Sequence, residues 1–99
     1  MDGITLSTKI RIIADRIVAQ IEAKNRDYGN SFVKTRDKYG PLAFQIRAED
    51  KLNRLESLTG KEPAVVGEAT HDTIQDLAGY CILELAYREL CPDIVRGAQ

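Results

Sequence analysis

The sequence predicts an all-α fold of three main antiparallel helices with a long loop after the first, and three observations lead there. Apolar residues recur at helical spacing in three separate stretches. Glycine and proline punctuate the ends of those stretches, at Gly29, Gly40-Pro41, Gly60, Pro63, Gly67 and Pro92. The β-branched clusters, Ile12-Ile13 and Val65-Val66, are too short to compete as strands.

The first helix is expected over about residues 6–24, capped by Thr5 or Ser7, whose hydroxyls can accept from the first free amides. Ile10, Ile13, Ala14, Ile17, Val18 and Ile21 give it one apolar stripe. Residues 25–40 break that pattern, and two Tyr-Gly pairs, Tyr28-Gly29 and Tyr39-Gly40, bound them. They read as a loop with room for a helical turn near Ser31 to Lys38; connections this long are often functional. The second helix, about 41–59, opens on Pro41, suited to a first turn, and closes at Gly60. Leu42, Ala43, Ile46, Leu52, Leu55 and Leu58 form its apolar set. Lys61 to Ala69 reads as a connection, after which a third helix, about 70–90, is expected with Thr70 as its cap and Pro92 as its stop. Ile74, Leu77, Ala78, Cys81, Leu85 and Ala86 would form its buried stripe, and Ala78-Gly79 would allow a close helix approach.

A chain of 99 residues is one domain, 1–99, with one core and little room for a deep private cleft. A small domain handling a sizeable ligand often builds its site between subunits, so a homo-oligomer is expected. The net charge of −1 gives no global basic field, which argues against binding DNA or RNA duplexes. Locally the charge is uneven: residues 24–38 hold five basic and two acidic side chains, and residues 49–76 hold seven acidic and three basic. Cys81 and Cys91 lie ten residues apart, about 15 Å along a helix, too far for one disulfide. Two reduced thiols, no signal peptide and no long apolar run together suggest a cytoplasmic protein with no membrane partner.

Three groups of residues could carry chemistry. Asp72 and Asp76 sit one helical turn apart and, with Asp50 from the preceding helix, could hold Mg²⁺ through oxygen ligands. Equally, Asp72 could favour a helix start, and Asp76 could pair with Arg47, Lys51 or Arg54. Arg47, Lys51 and Arg54 recur on one face of the second helix around Asp50, a cationic surface suited to phosphate or to ion pairing between helices. Finally, Lys24, Asn25, Asp27, Tyr28, Asn30, Ser31 and Phe32 crowd the end of the first helix and the loop. A base can stack on Tyr28 or Phe32, and Lys24, Asn30 and Ser31 can hold phosphate or ribose; the competing reading is a turn whose aromatics plug the core. With His71 the one histidine, a histidine-based metal site or triad has little material, and no GxxxxGK[ST] or GxGxxG motif occurs.

Lys24-Asn25-x-Asp27-Tyr28-Gly29-Asn30-Ser31-Phe32, then Ile46-Arg47-x-x-Asp50-Lys51-x-x-Arg54-Leu55, then Asp72-Thr73-x-x-Asp76-Leu77-Ala78-Gly79-Tyr80 follow in order. Together they resemble the nucleotide modification associated domain, type one, a small family common in phages and prophages. That family is similar in outline to the all-α nucleotide pyrophosphohydrolases of the MazG type, which bind Mg²⁺ through a Glu-x-x-Glu and a later Glu-x-x-Asp. Here the second helix has Glu49-Asp50 followed by Asn53, without the second spaced acid, and three cations surround the place. The resemblance implies a nucleotide ligand held by Lys24, Asn25, Asp27, Tyr28, Asn30, Ser31, Phe32, Arg47, Lys51 and Arg54. On this reading the protein captures a phosphorylated nucleotide messenger of host defence, cyclic or linear, in the host cytoplasm and without a cofactor. Two alternatives stand beside it: a Mg²⁺-dependent nucleoside triphosphate pyrophosphatase using Asp50, Asp72 and Asp76, and a helical adaptor that binds another protein.

Overall fold

The computed structural model describes residues 3–61 and 63–90. They form four helices and, among the described residues, no strand: α1 (Gly3–Tyr28), α2 (Ser31–Tyr39), α3 (Leu42–Leu58) and α4 (Pro63–Leu90). The all-α class expected from the periodicity is therefore present, but with four helices in place of three.

The expected loop at 25–40 is where the difference lies. α1 runs on to Tyr28 and α2 occupies Ser31–Tyr39. Only Gly29 and Asn30 separate them, and both adopt left-handed backbone, with φ of 60° and 59°. Two successive residues in that region reverse the chain, which glycine does freely and asparagine tolerates. The turn is closed by the Asn30 amide donating to the Asn25 carbonyl at 3.2 Å. A second tight turn at Gly40, φ 75°, leads from α2 through Pro41 into α3. The apolar repeat is weak across α2 because only Phe32 and Arg36 of its residues are buried, and an arginine does not register in a hydrophobic pattern.

Other boundaries also move. Thr5 and Ser7 lie inside α1 rather than capping it. α3 closes at Leu58 with Thr59 as its cap, and Gly60, φ 83°, follows in the left-handed conformation common just beyond a helix end. The connection expected up to Ala69 is helical from Pro63, and Thr70 lies within α4. Pro92 and Cys91 fall outside the described residues.

α4 is the spine. It packs against α3 and α1, and α2 packs against α3 and α1. Phe32 and Tyr87 form the centre of the core, with Phe44, Tyr80 and Leu83 against them. Ile17, Ala43 and Leu58 are also buried. On α4 the buried face is not the one the apolar residues suggest. Thr73, Gly79, Glu84 and Tyr87 face inward, whereas Ile74 is 52% exposed, Leu85 is 61% exposed and Ala86 is exposed too. α1 and α3 likewise leave Ile10, Val18, Leu42, Ile46 and Leu52 exposed. The close approach expected at Ala78-Gly79 is made by Gly79: a Cβ built there would lie 3.6 Å from Ile21 of α1.

The core is tied by an ion pair that no sequence pattern announced. Arg36 of α2 donates from Nε and Nη2 to the Glu84 carboxylate at 2.9 and 3.1 Å, and Arg88 Nε donates to the same carboxylate at 2.7 Å. The Arg36 guanidinium lies 4.5 Å from the centre of the Tyr87 ring, whose hydroxyl donates to Asp37 at 2.6 Å. No helix among the described residues is long and apolar enough to cross a membrane.

Candidate nucleotide-binding cleft

Where α1 ends, α2 begins and α3 and α4 pass beneath, the helices leave a cleft of about 270 Å³. One wall is the end of α1, contributing Ile21, Lys24, Asn25 and Tyr28; the short α2 adds Ser31 and Phe32. Arg47 enters from α3, and Asp76, Gly79 and Tyr80 close the α4 side. Each of the three sequence blocks singled out above supplies part of this lining. The turn at Gly29-Asn30 brings the first block against the other two, because it folds Phe32 back over α4: the Phe32 and Tyr80 rings stack with centroids 6.3 Å apart and planes 30° from parallel.

The cleft is apolar and aromatic on one side and charged on the other. Asp76 accepts from Lys24 of α1 and pairs with Lys51 of α3, each at 3.5 Å. One carboxylate thus bridges two lysines from different helices. This is the ion pairing weighed for Asp76 from the sequence, made with Lys51 and joined by Lys24. Arg47 behaves differently. Its guanidinium sits 5.3 Å from the Tyr80 ring centre and donates weakly to the Tyr80 hydroxyl at 3.4 Å. Among the described residues it makes no ion pair. A half-buried guanidinium held by an aromatic face, with its fork unclaimed by a carboxylate, is suited to receive an anion. Tyr28, 68% exposed, stands at the rim and offers a ring face to solvent.

Of the ten residues expected to hold a ligand, Lys24, Asn25, Tyr28, Ser31, Phe32 and Arg47 line the cleft. Lys51 borders it through Asp76. Asp27, Asn30 and Arg54 are exposed and do not line it. The role of Asn30 is in the backbone: it takes the left-handed turn position, and its side chain makes no cap hydrogen bond. Phe32 serves both readings offered for it, since it is buried in the core and its ring still forms cleft wall.

The acids do not assemble as the metal reading requires. Asp72 and Asp76 share a shallow groove beside the cleft with Gln20, Lys24 and Gln75, but Asp50 is not part of it. Among the described residues no group of three His, Cys, Asp or Glu side chains is placed to hold a metal ion. Asp50 is exposed on α3, and lysines already occupy Asp76. Ile17, Gln20, Ile21, Gln75, Gly79, Tyr80 and Leu83 also line the cleft and were not expected there from the sequence. Ile17 and Ile21 were read as core stripe, Tyr80 only as part of a motif and Gly79 only as a packing residue; nothing in their spacing marks any of them as cleft wall.

Fold and cleft together define an all-α protein with an aromatic, cationic pocket built from three ordered segments. The family model for nucleotide modification associated domain 1 matches residues 24–86, so the chain belongs to that family. No curated protein and no solved structure matches the chain.

Proposed function

We propose that the cleft binds a phosphorylated nucleotide and holds it intact. Arg47 carries this reading: it is the cation in the cleft whose charge no carboxylate among the described residues answers. Phosphate would take the Arg47 fork, with Lys24 and Lys51 nearby to share its charge. The base would stack against Tyr28 at the rim or reach toward Phe32 and Tyr80 within. Asn25 and Ser31 supply hydrogen-bonding side chains for ribose or base edges. A cleft of about 270 Å³ falls just under the usual range for small-molecule sites, roughly 300–1,000 Å³, so part of the ligand would project from the mouth. The nucleotide-related family to which the chain belongs supports the ligand class.

Capture fits these residues better than hydrolysis. Among the described residues Asp76 is the one carboxylate lining the cleft, and both its oxygens face lysines. A Mg²⁺-dependent pyrophosphatase needs several free carboxylates around its metal. The physiological role that follows is sequestration of a nucleotide messenger of host defence, cyclic or linear, by a phage-type protein.

The test is mass spectrometry of small molecules released by heating the protein after incubation with a nucleotide mixture and Mg²⁺. Recovery of one intact nucleotide in stoichiometric amount, equally in EDTA and lost in Arg47→Ala, is the expected outcome. Monophosphate and pyrophosphate accumulating with time would replace capture with pyrophosphatase chemistry. No bound and no consumed nucleotide would leave the adaptor reading.

A further inference from the structure

α4 carries an apolar stripe on the side away from the core. Its inward face holds Thr73, Glu84 and Tyr87, all nearly fully buried, with Tyr80 and Leu83 packed beside them. Its outward face holds Ile74, Ala78, Cys81, Ile82 and Leu85, which share one side of the helix by their spacing. Ile74 is 52%, Ile82 38% and Leu85 61% exposed. Between residues 74 and 86 the helix has two charged side chains, Asp76 and Glu84. Both are committed to partners elsewhere in the chain, Asp76 to Lys24 and Lys51, Glu84 to Arg36 and Arg88. A solvated helix puts its charges outward; this stretch ties both of its charges into ion pairs and shows solvent an apolar stripe instead.

We propose that this stripe is an isologous interface, on which α4 of a second copy of the chain packs antiparallel about a two-fold axis between Ala78 and Cys81. The argument for a second copy is the symmetry of the stripe. Ile74, Ala78, Cys81 and Leu85 run large, small, small, large at steps of four, three and four. Read backwards, both the sizes and the steps are the same. In a two-fold antiparallel pair Ile74 meets the partner's Leu85 and Ala78 meets the partner's Cys81. The small residues lie at the axis, where the helices approach, and the large ones close the ends. A two-fold interface has to be self-complementary in this way. The stripe turns polar at both ends, at His71 and Glu89, both exposed.

The experiment is sedimentation velocity on the full chain over a wide concentration range, with circular dichroism to follow the fold. The wild type is expected to be a dimer. Leu85→Lys is expected to weaken dimerisation about tenfold or more with helicity unchanged, because Leu85 contributes to no core. Leu42→Lys, at a side chain 57% exposed on α3 and off the stripe, should leave the dimer intact. Symmetry is tested by cross-linking: Ala78→Cys in a Cys91→Ser background should oxidise to a covalent dimer, joining the introduced thiol of one copy to the partner's Cys81. Cys91→Ser alone should not, since Cys81 then faces the partner's Ala78. A wild type that is monomeric throughout overturns the proposal and leaves the stripe to a different protein. A dimer indifferent to Leu85→Lys, or one that Ala78→Cys fails to cross-link, overturns it as well.

Discussion

Arg36 and Glu84 meet in two parallel hydrogen bonds, 2.9 and 3.1 Å long, with the arginine side chain fully enclosed and the carboxylate 5% exposed. This pair ties α2 to α4, and α2 supplies the Ser31 and Phe32 wall of the cleft. The site therefore depends on an ion pair that never touches it. The pairing leaves Arg36 Nη1 buried without a hydrogen-bond partner among the described residues, and the Tyr87 ring face beside the guanidinium offsets part of that cost.

Removing one partner is expected to be severe. Glu84→Gln strands the Arg36 charge in the interior, which costs about 3–5 kcal/mol, a large share of a small domain's stability. Replacing both, Arg36→Met with Glu84→Leu, should recover most of that loss because no charge then remains buried. Urea unfolding of the two variants checks this, and a double variant as unstable as Glu84→Gln would contradict it.

The same pair should make stability pH-dependent in acid. Burial pushes the Glu84 carboxyl up, but the hydrogen bonds from Arg36 and Arg88 outweigh it and hold the group below its ordinary value. A carboxyl depressed in the folded state binds its proton more weakly there than in the unfolded chain. Its contribution is therefore fully present above the ordinary glutamate range and is lost as pH falls through the lowered folded value. Urea midpoints measured downward from neutral pH should fall across that window. The fall should be shallower in Arg36→Met with Glu84→Leu, which has no such group.

At the cleft, Arg47→Ala should weaken nucleotide binding about 10–100-fold, the usual worth of a charge-assisted hydrogen bond, while Arg54→Ala, exposed and outside the lining, should change little. Tyr28→Ala should cost about 1–3 kcal/mol of binding if the base stacks there. Isothermal titration on the three variants separates phosphate from base contacts, and equal losses in Arg47→Ala and Arg54→Ala would argue against the cleft.

Gly79→Ala tests the crossing of α1 and α4. The added methyl would stand 3.6 Å from Ile21, an ordinary contact, and alanine favours helix over glycine by up to about 1 kcal/mol. Thermal melts should show a stability unchanged or slightly raised, with binding reduced because the methyl narrows the cleft wall. A clear loss of stability would mean the helices cannot yield there.

The all-α class, the helical character of three stretches and part of the cleft lining were legible in the sequence. Apolar periodicity and glycine-proline punctuation act locally, so they mark α1, α3 and α4 without reference to the rest of the chain. The ordered blocks around Lys24, Arg47 and Asp76 named six of the residues that line the cleft, because residue types suited to phosphate and base are unusual when clustered. Position within the fold is a different matter. Which side of α4 is buried depends on what α2 presents to it, and α2 presents Arg36, which draws in Glu84 and Tyr87 and turns Ile74 and Leu85 outward. Likewise, whether Asp76 serves a metal or neutralises cations depends on where the ends of α1 and α3 place Lys24 and Lys51. Local propensity determined that these segments are helices; the tertiary structure decided which faces they show one another, because buried charge has to be paired wherever the chain brings it.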